Sequence, residues 1–400
     1  MSLSELLDLV FRWVHMIAGI MWIGNSMLFN WLDRNLEKSK DLSRLSQGKI
    51  YMVHSGAFYD VEKKLLEPGD LPKHLHWFKY QNLTTWLSGL ALMVVVYYLH
   101  GASFLIDPRV AELSPLVGIT ISVSALLVGW IVYDGLWSSY GDRHPGVATV
   151  LSIAMLFGSI YGFAQVFGGR GAFIQTGVLI GTLMTGNVWM SIVPSQHALV
   201  AATKSGGDQD PKLSIRAKQR SIHNNYLTFP LLFIMISNHF PATYQHHLNW
   251  LILISVMVGG AGIRHFMNIR YLGGGLVRPP GAVLAPAAGM AGIAIAGILL
   301  ISHIKVESKI ADYPVSYAKA ADIMAKRCTP CHSAAPTDDQ FKVAPVNVRF
   351  DKPDEIQLMS PRIKARAVDS DQMPFNNKTA MTAQERAELG RWIVDGAKLQ

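Results

Sequence analysis

The sequence predicts an all-α protein, a bundle of eight transmembrane helices followed by a small soluble helical domain. Three observations carry this. Half of the 400 residues are hydrophobic and only 16% are charged, against about 25% charged in an ordinary soluble domain. Eight apolar stretches approach the ~20 residues that cross a bilayer. After Ser302 the composition turns abruptly polar.

The eight spans run over 6–31, 82–100, 115–137, 147–167, 173–193, 225–240, 248–268 and 283–302. The sixth is the shortest and carries Pro230. Ten tryptophans suit interfacial anchoring. Residues 1–303 form the membrane domain, 304–315 a charged linker and 316–400 the soluble domain. No cleavable signal peptide is evident, because Met1 to Asp8 lacks a basic region. In the soluble domain, helices are expected over 316–327, within 353–368 and over 382–398. Thr382 and Glu385 form a capping box for the last.

Loop charge sets the orientation. Lys and Arg number nine, one, five and two in the loops after spans one, three, five and seven. The other three loops hold only Arg109 and Arg170. By the positive-inside rule the first set is cytoplasmic, which puts the N-terminus and the soluble domain in the periplasm. The net charge of +8 is then a topology signal, and nucleic-acid binding is not expected.

The only cysteines, Cys328 and Cys331, lie in Cys328-Thr329-Pro330-Cys331-His332. This is the attachment signature of c-type haem. Thiols three residues apart reach the two vinyl groups of one porphyrin, and the adjacent imidazole faces the iron. Two cysteines exclude a disulfide framework and a cysteine-ligated iron–sulfur cluster, and zinc would need a second ligand pair. Met373 lies 41 residues beyond His332, enough chain to wrap the haem and return a thioether. Met324, Met359 and Met381 read as packing or surface residues. Asp371-Gln372-Met373-Pro374-Phe375, Met381 to Arg386 and Arg391-Trp392-Ile393 resemble class I cytochromes c. The resemblance implies that Trp392 faces Tyr317 or Ile323, and that the Pro345 carbonyl supports His332. Haem c is attached outside the bacterial cytoplasm, in agreement with the loop charges.

Ionisable groups inside a membrane are candidates for function. His15 shares a face with Gly19, Trp22 and Ser26, as a ligand of a membrane b-type haem or as a hydrogen-bonding helix contact. Asp134 is a proton-relay carboxylate or an interface residue. Arg264 and His265 read as interfacial side chains. His100 and His303 mark span ends. Polar clusters run from His54 to Tyr59, from Leu71 through His76 to Lys79, and from His223 and Asn224 to Pro230, ending in Ser237-Asn238-His239-Phe240-Pro241. A plain cytochrome anchor needs none of these.

Taken whole, the chain resembles the bacterial membrane-bound urate oxidases, or urate hydroxylases. The carriers are Trp13 to Gly24, His54 to Lys79, Asn224 to His239 and the haem tail. The resemblance implies oxidation of urate to 5-hydroxyisourate in a bacterial inner membrane. Electrons would pass through haem c to a respiratory acceptor such as a cytochrome c or a terminal oxidase. His54, His76, His223, Asn224 and His239 are the catalytic candidates. Two other readings stay open. One is a quinol-linked subunit with b- and c-type haem. The other is an electron-transfer cytochrome whose membrane part docks a partner enzyme. Reporter fusions after Gln400 are expected to signal periplasm, and fusions at Lys40 or Gly206 cytoplasm. A cytoplasmic C-terminus would contradict the loop-charge asymmetry.

Overall fold

The computed structural model describes residues 3–38, 45–67, 70–207, 210–269, 280–302 and 310–399. Lys40, Arg44, Arg270, Arg278, His303 and the first half of the linker lie outside them. Helical segments stand at all eight expected positions. In chain order they are α1 (Leu3–Asn35), α2 (Tyr80–Leu92), α3 (Pro115–Leu136), α4 (Pro145–Val166) and α5 (Gly169–Gly186). α6 (Val193–Ser205) continues α5, and α7 (Pro211–Ser237), the short α8 (Pro241–Tyr244), α9 (Asn249–Ile269) and α10 (Pro280–Ser302) follow. Five of the described helices are long and apolar enough to cross a membrane: Leu3–Asn35, Pro115–Gly141, Pro145–Val166, Gly169–Ser205 and Asn249–Asn268.

Exposed apolar side chains such as Trp13, Ile20, Leu127 and Ile131 clothe α1 and α3. Apolar surface on this scale needs cover. α5 is instead buried nearly all round from Gly171 to Thr185, as expected of a helix hydrophobic on every side. α2, α3, α4 and α7 pack around it. α2, α3 and α5 each end in a π-helical turn, at Met93–Tyr98, Trp137–Gly141 and Asn187–Ile192. Such turns add a residue to the helical register and often mark functional sites.

Two elements depart from the expectation. α7 begins at Pro211, capped by Asp210, whose carboxylate accepts from Lys212 N at 2.9 Å. The apolar stretch at 225–240 is therefore only the later part of a longer helix. The all-α class is also amended by a hairpin between α1 and α2, formed by β1 (Ser46–His54) and β2 (Ala57–Lys64). Ser55 and Gly56 turn it with φ of 53° and 76°, the geometry of a tight hairpin.

The C-terminal unit packs α11 (Tyr317–Arg327), α12 (Pro353–Leu358), α13 (Ser360–Ile363) and α14 (Ala383–Val394) around Ile323, Met324, Leu389 and Trp392. Trp392 meets Tyr317 at 5.9 Å between ring centroids. Thr382 and Glu385 close the expected capping box. Arg327 joins α11 to α14 through Glu385 at 3.0 Å. The Glu385 carboxyl is held below its usual range: burial raises it, but the Thr382 amide and Arg327 outweigh burial.

This unit rests on three connections at one end of the bundle. From the α2–α3 connection, Ser103 Oγ donates to Gln340 at 2.8 Å and the Ser103 carbonyl accepts from Asn376 at 2.9 Å. Arg109 reaches the Asp371 carbonyl at 3.3 Å. From the α4–α5 connection, the Arg170 guanidinium lies 5.8 Å from the Phe375 ring. After α8, Gln245 donates to the Gln372 carbonyl at 3.3 Å. Glycine permits the approach: a Cβ at Gly171 would lie 2.6 Å from the Leu105 carbonyl oxygen, a backbone atom. Gly171→Ala is therefore expected to cost about 1–3 kcal/mol in thermal unfolding. Gly181→Ala, which meets nothing within 4 Å, should leave the midpoint unchanged.

Candidate functional site

A cavity of about 450 Å³ opens at the other end of the bundle, within the size range of small-molecule sites. Its walls come from the last turns of α1, the approach to α2, the Met184–Val200 stretch and the middle of α7. The approach segment supplies chemistry of three kinds. Trp77 and Phe78 offer flat aromatic faces, Lys79 a cation, and His76 an imidazole. Trp77 stacks on His197 at 4.5 Å, and Lys79 Nζ lies 3.4 Å from the same imidazole. Gln81, Gln196, Asn25 and Asn224 add amide edges. Gln81 Oε1 is buried and has no hydrogen-bond partner among the described residues. Buried polar atoms are rarely left so.

Behind the cavity runs a polar network through the bundle. Asn187, in the π-helical turn after α5, donates to the Tyr133 hydroxyl at 3.0 Å and to Asn224 Oδ1 at 2.9 Å. Tyr133 Oη lies 2.7 Å from His223 Nδ1. Asn224 Nδ2 donates to the Met184 carbonyl at 3.0 Å. Alongside, Arg220 is buried, pairs with Asp134 at 2.8 Å, and lies over the Tyr133 ring at 5.0 Å. Asn224 belongs both to this network and to the cavity wall.

The predicted site residues are thus divided. His76 and Asn224 face the cavity, and His223 joins them through Asn187 and Tyr133. His54 ends β1, exposed. His239 follows the last turn of α7, exposed, 11 residues beyond Thr228 on the cavity wall, about 16 Å along a helix. Neither lines the cavity. Tyr133, Asn187, Lys79 and Gln81 were missed as individual residues. A lone Asn in an apolar span was the available signal for Asn187. Arg264 is buried and donates to Asn225 at 2.9 Å, so it is not the interfacial side chain expected. His15 Nδ1 lies 2.8 Å from the Thr85 carbonyl and 3.1 Å from Ser88 Oγ. Thr85 also occupies the space beside Gly19, so this face of α1 joins α2, and Trp22 and Ser26 beyond it reach the cavity.

A second constellation sits in the C-terminal unit. Cys328 and Cys331 are free thiols at the end of α11. Burial pushes each up to about 12, helped at Cys331 by Asp338. A catalytic redox pair needs a depressed thiol instead. His332 Nδ1 lies 3.0 Å from the Val348 carbonyl, not that of Pro345 as expected. That contact orients the ring and leaves Nε2 as the nitrogen able to bind a metal. Met373 packs on the same core as Cys328. Its backbone is held at both ends: its N–H donates to the Arg366 carbonyl at 2.8 Å, and its carbonyl accepts from Arg386 at 2.7 Å. Two thiols, one oriented imidazole and a thioether on an anchored backbone form a donor set that fits a covalently attached porphyrin iron.

Among known proteins, one family model matches, described as urate oxidase N-terminal, over residues 1–297. The match contains the cavity and network and stops before the C-terminal unit. No curated protein and no solved structure matches the chain. Tyr133→Phe keeps the ring but removes the hydroxyl between Asn187 and His223. It should cost about 1–3 kcal/mol, read as a lowered unfolding midpoint, and Tyr140→Phe, outside the network, should cost little.

Proposed function

The chain belongs to the urate oxidase N-terminal family, and on that premise we propose that it is a membrane-bound enzyme that oxidises urate to 5-hydroxyisourate. The observation that carries this is the cavity itself, which lies in the family-matched segment. Its aromatic faces, amide edges and single lysine suit a flat purine that is an anion at neutral pH. The eight helical segments, five of them long and apolar enough to cross, support an eight-helix inner-membrane bundle. The loop charges support a periplasmic C-terminal unit.

The reaction balances as urate plus water giving 5-hydroxyisourate, two protons and two electrons. Trp77 and Phe78 stack the purine, Lys79 offsets its charge, and Gln81 and Asn224 meet its edges. His76, on the cavity wall, takes the proton from water as it adds at C5. Asn187 and Tyr133 fix Asn224 and carry its hydrogen bonds to His223. In the C-terminal unit, Cys328 and Cys331 would attach a haem, with His332 and Met373 as axial ligands. When bound, that haem supplies a one-electron acceptor whose potential a thioether ligand raises. The C-terminal unit would thus be a class I cytochrome c that hands electrons to a respiratory acceptor.

Urate added without oxygen to the purified full-length protein should bleach the ferric haem spectrum. Cys328→Ala with Cys331→Ala should abolish both covalent haem and urate turnover. Lys79→Gln should raise KM for urate about tenfold, the loss of roughly 1.4 kcal/mol of charge attraction, and leave haem content unchanged. A haem spectrum indifferent to urate would overturn the reading.

A further inference from the structure

The cavity and the resting place of the C-terminal unit are at opposite ends of the bundle. Along α5, Arg170 stands at the docking end and Met184 at the cavity, 14 residues apart, roughly 21 Å by helical rise. Electrons released at the cavity must therefore leave the bundle somewhere on its far end. The contacts there fall on one edge of the C-terminal unit. Gln372, Asp371, Phe375 and Asn376, the neighbours of Met373, are held by the bundle, with Gln340 and Phe341 beside them. The contact is built around one cation. The Arg170 guanidinium lies 4.3 Å from the Phe104 ring and 5.8 Å from the Phe375 ring, and it donates to Tyr97 Oη at 3.2 Å. Phe104 meets Phe375 edge-on at 4.8 Å and Phe341 at 6.0 Å.

Charge gives an independent argument. Arg109 and Arg170 are the two basic residues in the loops that the positive-inside rule keeps nearly free of them. Both touch the C-terminal unit, Arg109 through Asp371 at 3.7 Å and Arg170 through Phe375. Residues placed against the topological bias are placed for a contact.

We infer that the Phe104–Arg170–Phe375 contact is the port through which electrons pass from the bundle to the C-terminal unit, entering beside Met373. This rests on the urate-oxidising reading. The first passage would carry one electron from urate, and the second one electron from the urate radical so formed, to the one-electron acceptor that Cys328, Cys331, His332 and Met373 would hold. The balance of two electrons per urate requires two passages, with an external one-electron acceptor reoxidising the ferrous haem between them. Tyr97, Phe104 and Arg170 act as positioning residues.

The test uses full-length holoprotein, a cross-linking variant, and two variants of Phe375. In the first, Ser103→Cys with Gln340→Cys, a short bismaleimide should cross-link the docked unit, seen as altered mobility in denaturing electrophoresis. Urate should then reduce the cross-linked haem as fast as in the uncross-linked variant. In the second, Phe375→Leu, reduction by urate should slow at least tenfold in anaerobic stopped flow. Dithionite should reduce its haem at the unchanged rate, the midpoint potential should hold, and Phe375→Tyr should restore the urate rate. The port is overturned if no cross-link forms, if the cross-linked haem no longer accepts electrons from urate, or if Phe375→Leu keeps the full rate. It is also overturned if the Phe375→Leu loss is matched with dithionite or unrelieved by tyrosine. Wild-type haem that urate does not reduce overturns the functional reading instead, and the port with it.

Discussion

A polar side chain inside an apolar bundle persists only where another polar group meets it, and that constraint organises this molecule. The α2, α3, α5 and α7 helices are joined by amide, hydroxyl and imidazole pairs as well as by packing. Asn82 bonds Thr185, Ser122 bonds Gln175, and Asn187 bonds both Tyr133 and Asn224. Such contacts cost little among neighbours that already need partners, and much if one partner is removed. They fix the rotation of each helix about its own axis, which apolar packing alone leaves loosely specified. The cavity is a product of that fixed rotation. Asn224 reaches it because Asn187 holds Asn224 in place.

The π-helical turn at Asn187–Ile192 is part of the same arrangement. It lets Asn187 point into the network without breaking the chain, while Val188 and Ile192 face the cavity. Irregular backbone within membrane depth is tolerated where it is buried in protein or lines a cavity, and this turn does both.

Much of the fold was legible because apolar length and loop charge are local properties of the sequence. The segments, their order and the break after Ser302 follow from them. The hairpin has only a short local signal, Ser55-Gly56 between alternating apolar residues, inside a loop rich in charge. The motif Cys328 to His332 could be read because attachment chemistry fixes its spacing. The cavity could not be read in the same way. Its residues come from four separate stretches, and only packing shows that Lys79 and Asn224 share a wall while His239 does not. Arg264 was misread for the same reason, since its neighbour Asn225 is distant in sequence.

The separation of the cavity from the docked C-terminal unit has an energetic consequence. An electron that enters at one end of the bundle and leaves at the other crosses the greater part of the bilayer, while the protons of the same oxidation stay where the purine was. On the topology proposed here that movement is outward, from the negative face of an energised membrane to the positive one. Each full transit is then favoured by about 2.3 kcal/mol per 100 mV. Purine oxidation on the proposed route would be electrogenic: it would run faster in an energised cell than in a depolarised one, and would draw down the voltage that drives it.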